Sequence, residues 1–337
     1  MLLAGVGMIA AAVLLLGARP EPEAPTPSVN ARIPLGNLDH ACPLDCIPSI
    51  DEPEFVHGSV AQMREAETVI GIARDGAAKA YPLSRFGEVV NDEIAGAPVV
   101  VTWCPLCGTP IAFERRIDGR AVEFGVSGKL HKNDLVLYDR QSFTLWQQIT
   151  GEAIVGPLVG ERLNVIPTDF VSYGEWLRRH PDTLVLTGGR HRGSRLQELP
   201  YEQRLRGAHR REVNRPDRRL KPFTVVYGLE IGAERTAFPL SVIRREEIVR
   251  EKVGDVDVLV LDIPDTAFVR VLGLPSELAR ASFTRRDDML VDASGRRWTA
   301  DGAAVSESTP DLEVLPAVRS YWFGWSAFHP DTSVYRP

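Results

Sequence analysis

Apolar residues along this chain fall into short runs that are rich in β-branched and aromatic residues and are bounded by Gly, Asp or Asn. Runs of this kind are typical of β-strands. They predict strands at residues 69–73, 98–103, 111–116, 121–126, 135–138, 225–229, 256–263, 268–271, 289–291 and 297–299. Helical patterns are rarer and predict short helices at residues 83–91 and 171–180, the second of which ends before Pro181. The pattern therefore predicts an α+β fold that is predominantly β, with a few short helices.

Three motifs occur twice along the chain, in the same order. They are Val-Ile/Tyr-Gly at 69–71 and 226–228, Ala-Tyr/Phe-Pro-Leu-Ser at 80–84 and 237–241, and a closing motif, Trp-x-x-x-His-Pro-Asp-Thr, at 176–183 and 325–332. Internal similarity of this kind predicts two tandem, divergent β-rich repeats. Because the closing motif occurs in both, we expect His180 and His329 to be structural, each with its ring packed on the Trp of its motif.

The remaining segments differ in composition from the two predicted units. The expected divisions are a signal peptide or membrane anchor at 1–18, a Pro-rich spacer at 19–29, an irregular lead-in at 30–68, a first unit at 69–188, an Arg-rich connector at 189–222, and a second, degenerate unit at 223–337. The uncharged, largely apolar run from Leu2 to Ala18 is at the lower limit of a membrane span and also resembles the apolar part of a secretory signal. It predicts an extracytoplasmic protein, either secreted or held at the membrane by this segment alone.

The composition limits the classes of molecule that this chain is expected to bind. The chain has 337 residues, of which 44% are hydrophobic and 25% charged, values that are ordinary for a globular protein and sufficient for two cores. A formal net charge of -6 gives no basis for binding nucleic acid. The Arg-rich connector also lacks the interleaved aromatic residues that would stack on bases.

The four cysteines form two pairs in the sequence, Cys42 with Cys46 and Cys104 with Cys107. Two cysteines three positions apart can bind one metal ion, and Gly108 permits a tight turn around it. The same spacing suits a reversible dithiol. Cys42 and Cys46 are a possible second pair of metal ligands, although an even cysteine count in an exported chain also favours disulfides, including bridges between the two pairs. If these cysteines bind a metal ion, we expect copper or zinc, because both favour thiolate ligands.

The chemistry-bearing residues belong to the first unit only, because residues 260–264 of the second unit stand where Cys104 is expected and contain no cysteine. The candidate surroundings of the thiols are Asp92, Lys129, His131, Asp139, Trp146 and Gln148. His131 is either a metal ligand, a proton carrier or an ordinary buried or surface residue. The rival hypothesis is a non-catalytic module with structural disulfides and a ligand groove near residues 127–131. No nucleophile elbow, zinc-protease motif or phosphate loop is present, so no catalytic residue is assigned.

Several of these motifs together resemble a bacterial family known as domain of unknown function 3179. The matching segments are Ala80–Leu83, Glu88-Val89-Val90-Asn91-Asp92, Cys104-Pro105-Leu106-Cys107, Ser127-Gly128-Lys129-Leu130, Tyr138-Asp139-Arg140 and Trp146-Gln147-Gln148. The chain departs from the family pattern at Gly87, where the family commonly has histidine. The resemblance implies an exported, β-rich protein with a Cys-Pro-Leu-Cys centre, and it implies no reaction.

Overall fold

The computed structural model describes residues 30–188, 217–263, 268–286 and 289–337. The predicted signal or anchor at 1–18, the spacer at 19–29 and most of the connector at 189–222 lie outside these residues. Within the described part of the chain, no helix is both long enough and apolar enough to cross a membrane.

Strand predominates over helix, at 46% against 11%, which confirms the predicted α+β, predominantly β class. The strands of the N-terminal part are β1 Asp39–His40, β2 Phe55–His57, β3 Thr68–Arg74, β4 Ala77–Pro82, β5 Val89–Ile94, β6 Ala97–Cys104, β7 Thr109–Glu114, β8 Arg116–Ile117, β9 Arg120–Ala121, β10 Phe124–His131, β11 Asp134–Asp139, β12 Leu145–Gln147, β13 Ala153–Val155, β14 Val165–Ile166, β15 Asp169–Ser172 and β16 Leu184–Leu186. Those of the C-terminal part are β17 Val225–Ile231, β18 Glu234–Pro239, β19 Ile248–Val253, β20 Val256–Asp262, β21 Val269–Leu274, β22 Phe283–Arg286, β23 Met289–Asp292, β24 Arg297–Thr299, β25 Glu313–Val314, β26 Val318–Tyr321 and β27 Ser333–Val334. The helices described are α1 Tyr173–Arg179, α2 Leu240–Glu246 and α3 Trp322–Phe328.

The sheets of the first half (residues 68–186) and the second half (residues 225–334) have corresponding strand orders. Apart from strands of the lead-in, β15-β3-β4-β16 corresponds to β26-β17-β18-β27, and β14-β7-β6-β5 corresponds to β25-β21-β20-β19. Strands β10-β11-β12, in a sheet that β13 extends, correspond to the sheet β22-β23-β24. In each half one pair is parallel, β4 with β16 and β18 with β27. This correspondence of strand order agrees with the predicted division into two tandem repeats. The repeat itself remains a prediction.

The helix predicted at residues 83–91 is wrong. Residues 83–85 form a turn, and β5 begins at Val89. Gly87 disfavours a helix here, and Val89 and Val90 favour a strand. The corresponding stretch of the second half has no such glycine and does form a helix, α2.

The closing motif has the same structural role in both places. The indole nitrogen of Trp176 donates to Thr183 at 2.8 Å, and that of Trp325 donates to Thr332 at 3.1 Å. Each Trp ring also packs on a histidine ring, with 4.1 Å between the Trp176 and His180 centroids and 4.1 Å in the other motif. The prediction of structural histidines packed on tryptophan is therefore confirmed.

The glycines of the first repeated motif make room for these indoles. A Cβ atom on Gly71 would lie 2.3 Å from the Trp176 ring, and one on Gly228 would lie 2.4 Å from the Trp325 ring. Contacts this short are forbidden, so only glycine fits at either position.

The closing helices, α1 and α3, each pack against the opposite half of the molecule. Trp176 of α1 shares a core with Leu259 and Trp298 of the second half. Trp322 and Trp325 of α3 share a core with Cys104, Cys107 and residues of the first half around Trp146. The two halves are thus joined by reciprocal burial, which is the main favourable term in protein folding.

Candidate metal centre

Cys104 and Cys107 lie together in the core with a third residue, Asp134. A sulfur atom from each cysteine and one carboxylate oxygen of Asp134 are all within 4.8 Å of one another. None of the three residues is more than 1% exposed. Cys104 ends strand β6, and Gly108, with φ of +64°, completes the predicted tight turn back into β7. Both thiols are free of disulfides.

Asp134 is held by a hairpin that points its carboxylate toward the thiols. Lys132 and Asn133 both have positive φ and form the two-residue turn between β10 and β11. Asp134 Oδ2 accepts hydrogen bonds from Gln147 Nε2 at 2.6 Å and from the Ile149 amide at 2.9 Å. Oδ1 is buried and makes no hydrogen bond of normal length and angle with the described residues. One oxygen is therefore fixed and the other is left available.

Burial sets the protonation of this cluster. It raises the pKa of the Cys104 thiol and raises that of Cys107 well above its usual value. Burial also raises the pKa of Asp134 to about 6, although Gln147, Ile149 and the two nearby thiols act in the opposite direction. Three acidic groups that share a buried site cannot all ionise without a compensating positive charge.

The second half closes the site from the other side. The carbonyl of Cys107 accepts a hydrogen bond from the Tyr321 amide at 2.8 Å, immediately before α3 begins. Cys107 Sγ lies 3.3 Å from the carbonyl oxygen of Asn133, in the hairpin turn. The thiol loop is thus held between the β10–β11 turn of one half and the start of α3 in the other.

The second cysteine pair does not join this centre. Cys42 and Cys46 are bonded to each other in a local disulfide, which corrects the expectation of bridges or shared metal ligation between the two pairs. The disulfide loop lies over Gly128, because the amides of Ala41 and Cys42 donate to the Gly128 carbonyl at 2.9 and 3.1 Å. A Cβ atom on Gly128 would lie 2.0 Å from the Cys42 carbonyl oxygen. The chain itself therefore fills the groove expected near residues 127–131.

Three of the other candidates lie outside the thiol cluster. Asp92 accepts hydrogen bonds from Lys79 at 2.9 Å and Tyr81 at 2.6 Å. Lys129 pairs with His40 of the lead-in strand β1. His131 is buried, its Nδ1 lies 3.0 Å from the Asn37 carbonyl oxygen, and burial lowers its pKa. Asp92 and His131 thus bind partners other than the thiols, and Lys129 is held by backbone pairing.

The last three candidates, Asp139, Trp146 and Gln148, form hydrogen bonds that stabilise the structure around the centre. Asp139 accepts hydrogen bonds from the Trp146 indole at 2.9 Å and the Ser142 amide at 2.6 Å, which fixes the turn after β11. Gln148 is fully buried and donates to Thr102 and to the carbonyl of Thr109, the residue paired with Cys104. Gln148 is therefore the member of the predicted surroundings that lies next to the thiol strand.

A second group of possible ligands, Asp169, His180 and Asp301, also lies within 4.8 Å. Its carboxylates are already paired with two guanidinium groups. Arg270 binds Asp169 through two hydrogen bonds of 2.9 and 3.0 Å, and Arg179 binds both carboxylates at 2.9 Å. Because these positive charges occupy the place that a cation needs, this group is a salt-bridge network.

A family model described as "Protein of unknown function (DUF3179)" matches residues 44–332, which include the thiol loop, the hairpin and both closing motifs. The chain belongs to this family. No curated protein and no solved structure matches it. The resemblance seen in the sequence is confirmed.

Two residues of the centre were missed in the sequence. One is Asp134, which directly follows the turn dipeptide Lys132-Asn133. Gln147 ends strand β12 and stands beside the candidate Gln148, which lies in the following turn, and the two side chains bind different partners. A buried aspartate after a hairpin turn was the available signal, and only the fold shows that this turn meets the thiols.

Proposed function

We propose that this protein binds one thiolate-favouring metal ion through Cys104, Cys107 and Asp134. The observation that carries the proposal is the geometry of the cluster, in which two buried thiols face a carboxylate whose Oδ2 is held by two donors while Oδ1, among the described residues, accepts no hydrogen bond from an N–H or O–H group. A buried polar atom without a partner is costly, and a cation between the three groups would satisfy it.

The ligand set favours zinc over copper. Zinc accepts both thiolate sulfur and carboxylate oxygen, whereas Cu(I) prefers an all-sulfur site. Two thiolates and one carboxylate would supply three of the four positions of a tetrahedral ion. Cu(I) is therefore the comparison ion in the test.

Burial argues against thiol exchange with another protein. The attacking species in exchange is a thiolate that a partner disulfide can reach. Here both sulfur atoms are buried, and the pKa of each thiol is raised by that burial.

Export is part of the same proposal. It is supported by the apolar run from Leu2 to Ala18 and by the Cys42–Cys46 disulfide, since disulfides persist in oxidising compartments.

The test is metal analysis of the full chain purified without oxygen, followed by competition with a chelator of known zinc affinity. We expect about one zinc per chain, a value typical of such a ligand set. The Cys104→Ser/Cys107→Ser double variant should bind none. The matched control is Cys42→Ser/Cys46→Ser, which also removes two sulfur atoms and should keep the zinc. A wild-type chain with reduced Cys104 and Cys107 that holds neither zinc nor Cu(I) would refute the proposal.

A further inference from the structure

Gly324, in the closing helix α3 of the second half, is in direct contact with the thiol centre of the first half. It is buried, and a Cβ atom built on it would lie 3.1 Å from Cys107 Sγ and 3.2 Å from Cys107 Cβ. The same atom would lie 3.0 Å from Ser320 Oγ. These distances are shorter than the separation of about 3.5–4.0 Å at which non-bonded carbon atoms attract each other.

Cys107 has little freedom to move away from such an atom. Its carbonyl is bonded to the Tyr321 amide, three residues before Gly324. The next residue, Gly108, is also fixed, because its carbonyl accepts a hydrogen bond from Arg319. A side chain at position 324 would therefore push the sulfur atom itself.

Metal binding would require the two sulfur atoms to stand at one fixed separation. The three ligand atoms lie within 4.8 Å of one another. With zinc–sulfur bonds of about 2.3 Å, the two sulfur atoms of a tetrahedral site lie about 3.8 Å apart. A methyl group at position 324 would displace Cys107 by some tenths of an ångström and would therefore disturb this geometry.

We propose that Gly324 is a positioning residue of the metal centre, so that the second half of the chain sets the position of Cys107 and metal binding tightens the contact between the two halves. This inference rests on the proposed function. It also assigns a role to the second half, which carries no thiols. Because Gly324 has no side chain, its helix leaves the space that Cys107 occupies.

The test compares Gly324→Ala with Gly174→Ala in the full chain. Gly174 lies in the other closing helix, α1, where a Cβ atom would meet the side chain of Glu65 at 2.9 Å, away from the thiols. Both changes replace a helical glycine by alanine, so they share the gain in helix propensity. We expect Gly324→Ala to weaken zinc binding at least about tenfold, in the range found for residues that orient metal ligands. Gly174→Ala should leave zinc binding unchanged.

Cobalt(II) provides a readout that a general loss of packing would not move. Its absorption bands report the number and geometry of thiolate ligands, and we expect them to shift in Gly324→Ala and not in Gly174→Ala. If wild type binds zinc and Gly324→Ala matches it in affinity and cobalt spectrum, this inference is overturned while the proposed function stands. If wild type binds no metal ion, both fall.

Hydrogen exchange in the wild-type chain tests the same idea without any change at position 324. Zinc should slow amide exchange across residues 318–328, and should not do so in the Cys104→Ser/Cys107→Ser variant. Equal exchange in the zinc-free and zinc-loaded wild type would overturn the coupling between metal binding and the second half.

Discussion

The two closing helices cover regions of opposite chemical character. Helix α3 covers Cys107, beside Cys104 and the unpaired oxygen of Asp134. Helix α1 covers the corresponding region of the second half, where its Arg179 lies over the Phe268 ring with 4.5 Å to the centroid. In the first half, Cys104 is the strand partner of Thr109, five residues later in the chain. In the second half, the amide of Ile263 donates to the carbonyl of Phe268, again five residues later. An isoleucine thus stands in the strand position that the thiol occupies in the first half.

The difference lies in how each region balances its charge. Under α1, the carboxylates of Asp169 and Asp301 are neutralised by Arg179 and Arg270. Under α3, among the described residues, no positive side chain pairs with Asp134, and burial instead raises its pKa to about 6. The region under α1 has its negative charges balanced without a ligand. The region under α3 has acidic groups that, among the described residues, no positive side chain balances. This contrast is the physical reason to propose a metal site in the first half.

Removing either closing tryptophan should produce the largest loss of stability. Trp176→Ala and Trp325→Ala each empty a buried site between the halves and free a threonine partner. We expect each to lower the free energy of unfolding by about 4 kcal/mol, measured by urea denaturation of the metal-free chain. Losses that differ by more than a factor of two would show that the two closing motifs are not equivalent.

The salt-bridge network under α1 should come next. Arg270→Met removes a guanidinium that is 7% exposed and leaves Asp169 and Asp301 to share Arg179. Removing one partner of a buried ion pair costs about 3 kcal/mol or more. The same urea titration measures it, and zinc affinity should not change because the network lies at the other closing helix. A change in zinc affinity would contradict the separation of the two regions.

Local features of the fold could be predicted from the sequence because they depend on neighbours in the chain. Several strands of both halves, such as β3, β6 and β20, were predicted from apolar runs, and the closing motif was assigned a structural role because it occurs twice. The turn at Gly108 was also predicted, since a tight turn favours glycine. The helix predicted at residues 83–91 was wrong because Gly87 disfavours a helix, while Val89 and Val90 favour the strand that forms there.

The centre itself depends on contacts between distant parts of the chain. Asp134 meets Cys104 and Cys107 only because the hairpin sheet packs on the strands that carry the thiols, and Gly324 meets Cys107 across more than half of the sequence. The local Cys42–Cys46 bridge was one of several pairings that cysteine spacing allows. Neither residue spacing nor composition contains this information.

The pH dependence of stability should separate the two regions further. The pKa of Asp134 is raised in the folded chain to about 6 from a usual value of 3.8. Its stabilising contribution is thus fully present below the unfolded pKa and is lost as the pH rises through the folded one. The metal-free chain should lose roughly 2 kcal/mol between pH 4 and pH 7 relative to Asp134→Asn. A difference between the two chains that is independent of pH would contradict the buried, ionisable Asp134.

Zinc should reverse this trend, because it binds the deprotonated groups and displaces their protons. The stability gained from a fixed concentration of zinc should therefore rise with pH from 6 to 8. Measured as a shift in the urea midpoint, the gain should be absent in the Cys104→Ser/Cys107→Ser variant.

The smallest effect should come from a more exposed ion pair that crosses between the halves. Arg162 of the first half binds Glu230 of the second at 2.7 Å, but the Arg162 side chain is 41% exposed and Glu230 keeps a second partner in Arg235 at 2.9 Å. Arg162→Met therefore leaves no buried charge unpaired, and we expect a loss below about 1 kcal/mol that shrinks further at high salt. Comparison with Arg270→Met tests which property of a salt bridge between the halves determines its contribution to the free energy of unfolding. The two alternatives are the burial of its charges and its position between the halves. Equal losses in the two variants would mean that the joint between the halves depends on its charges as a whole, and the contrast between the regions under α1 and α3 would lose its physical basis.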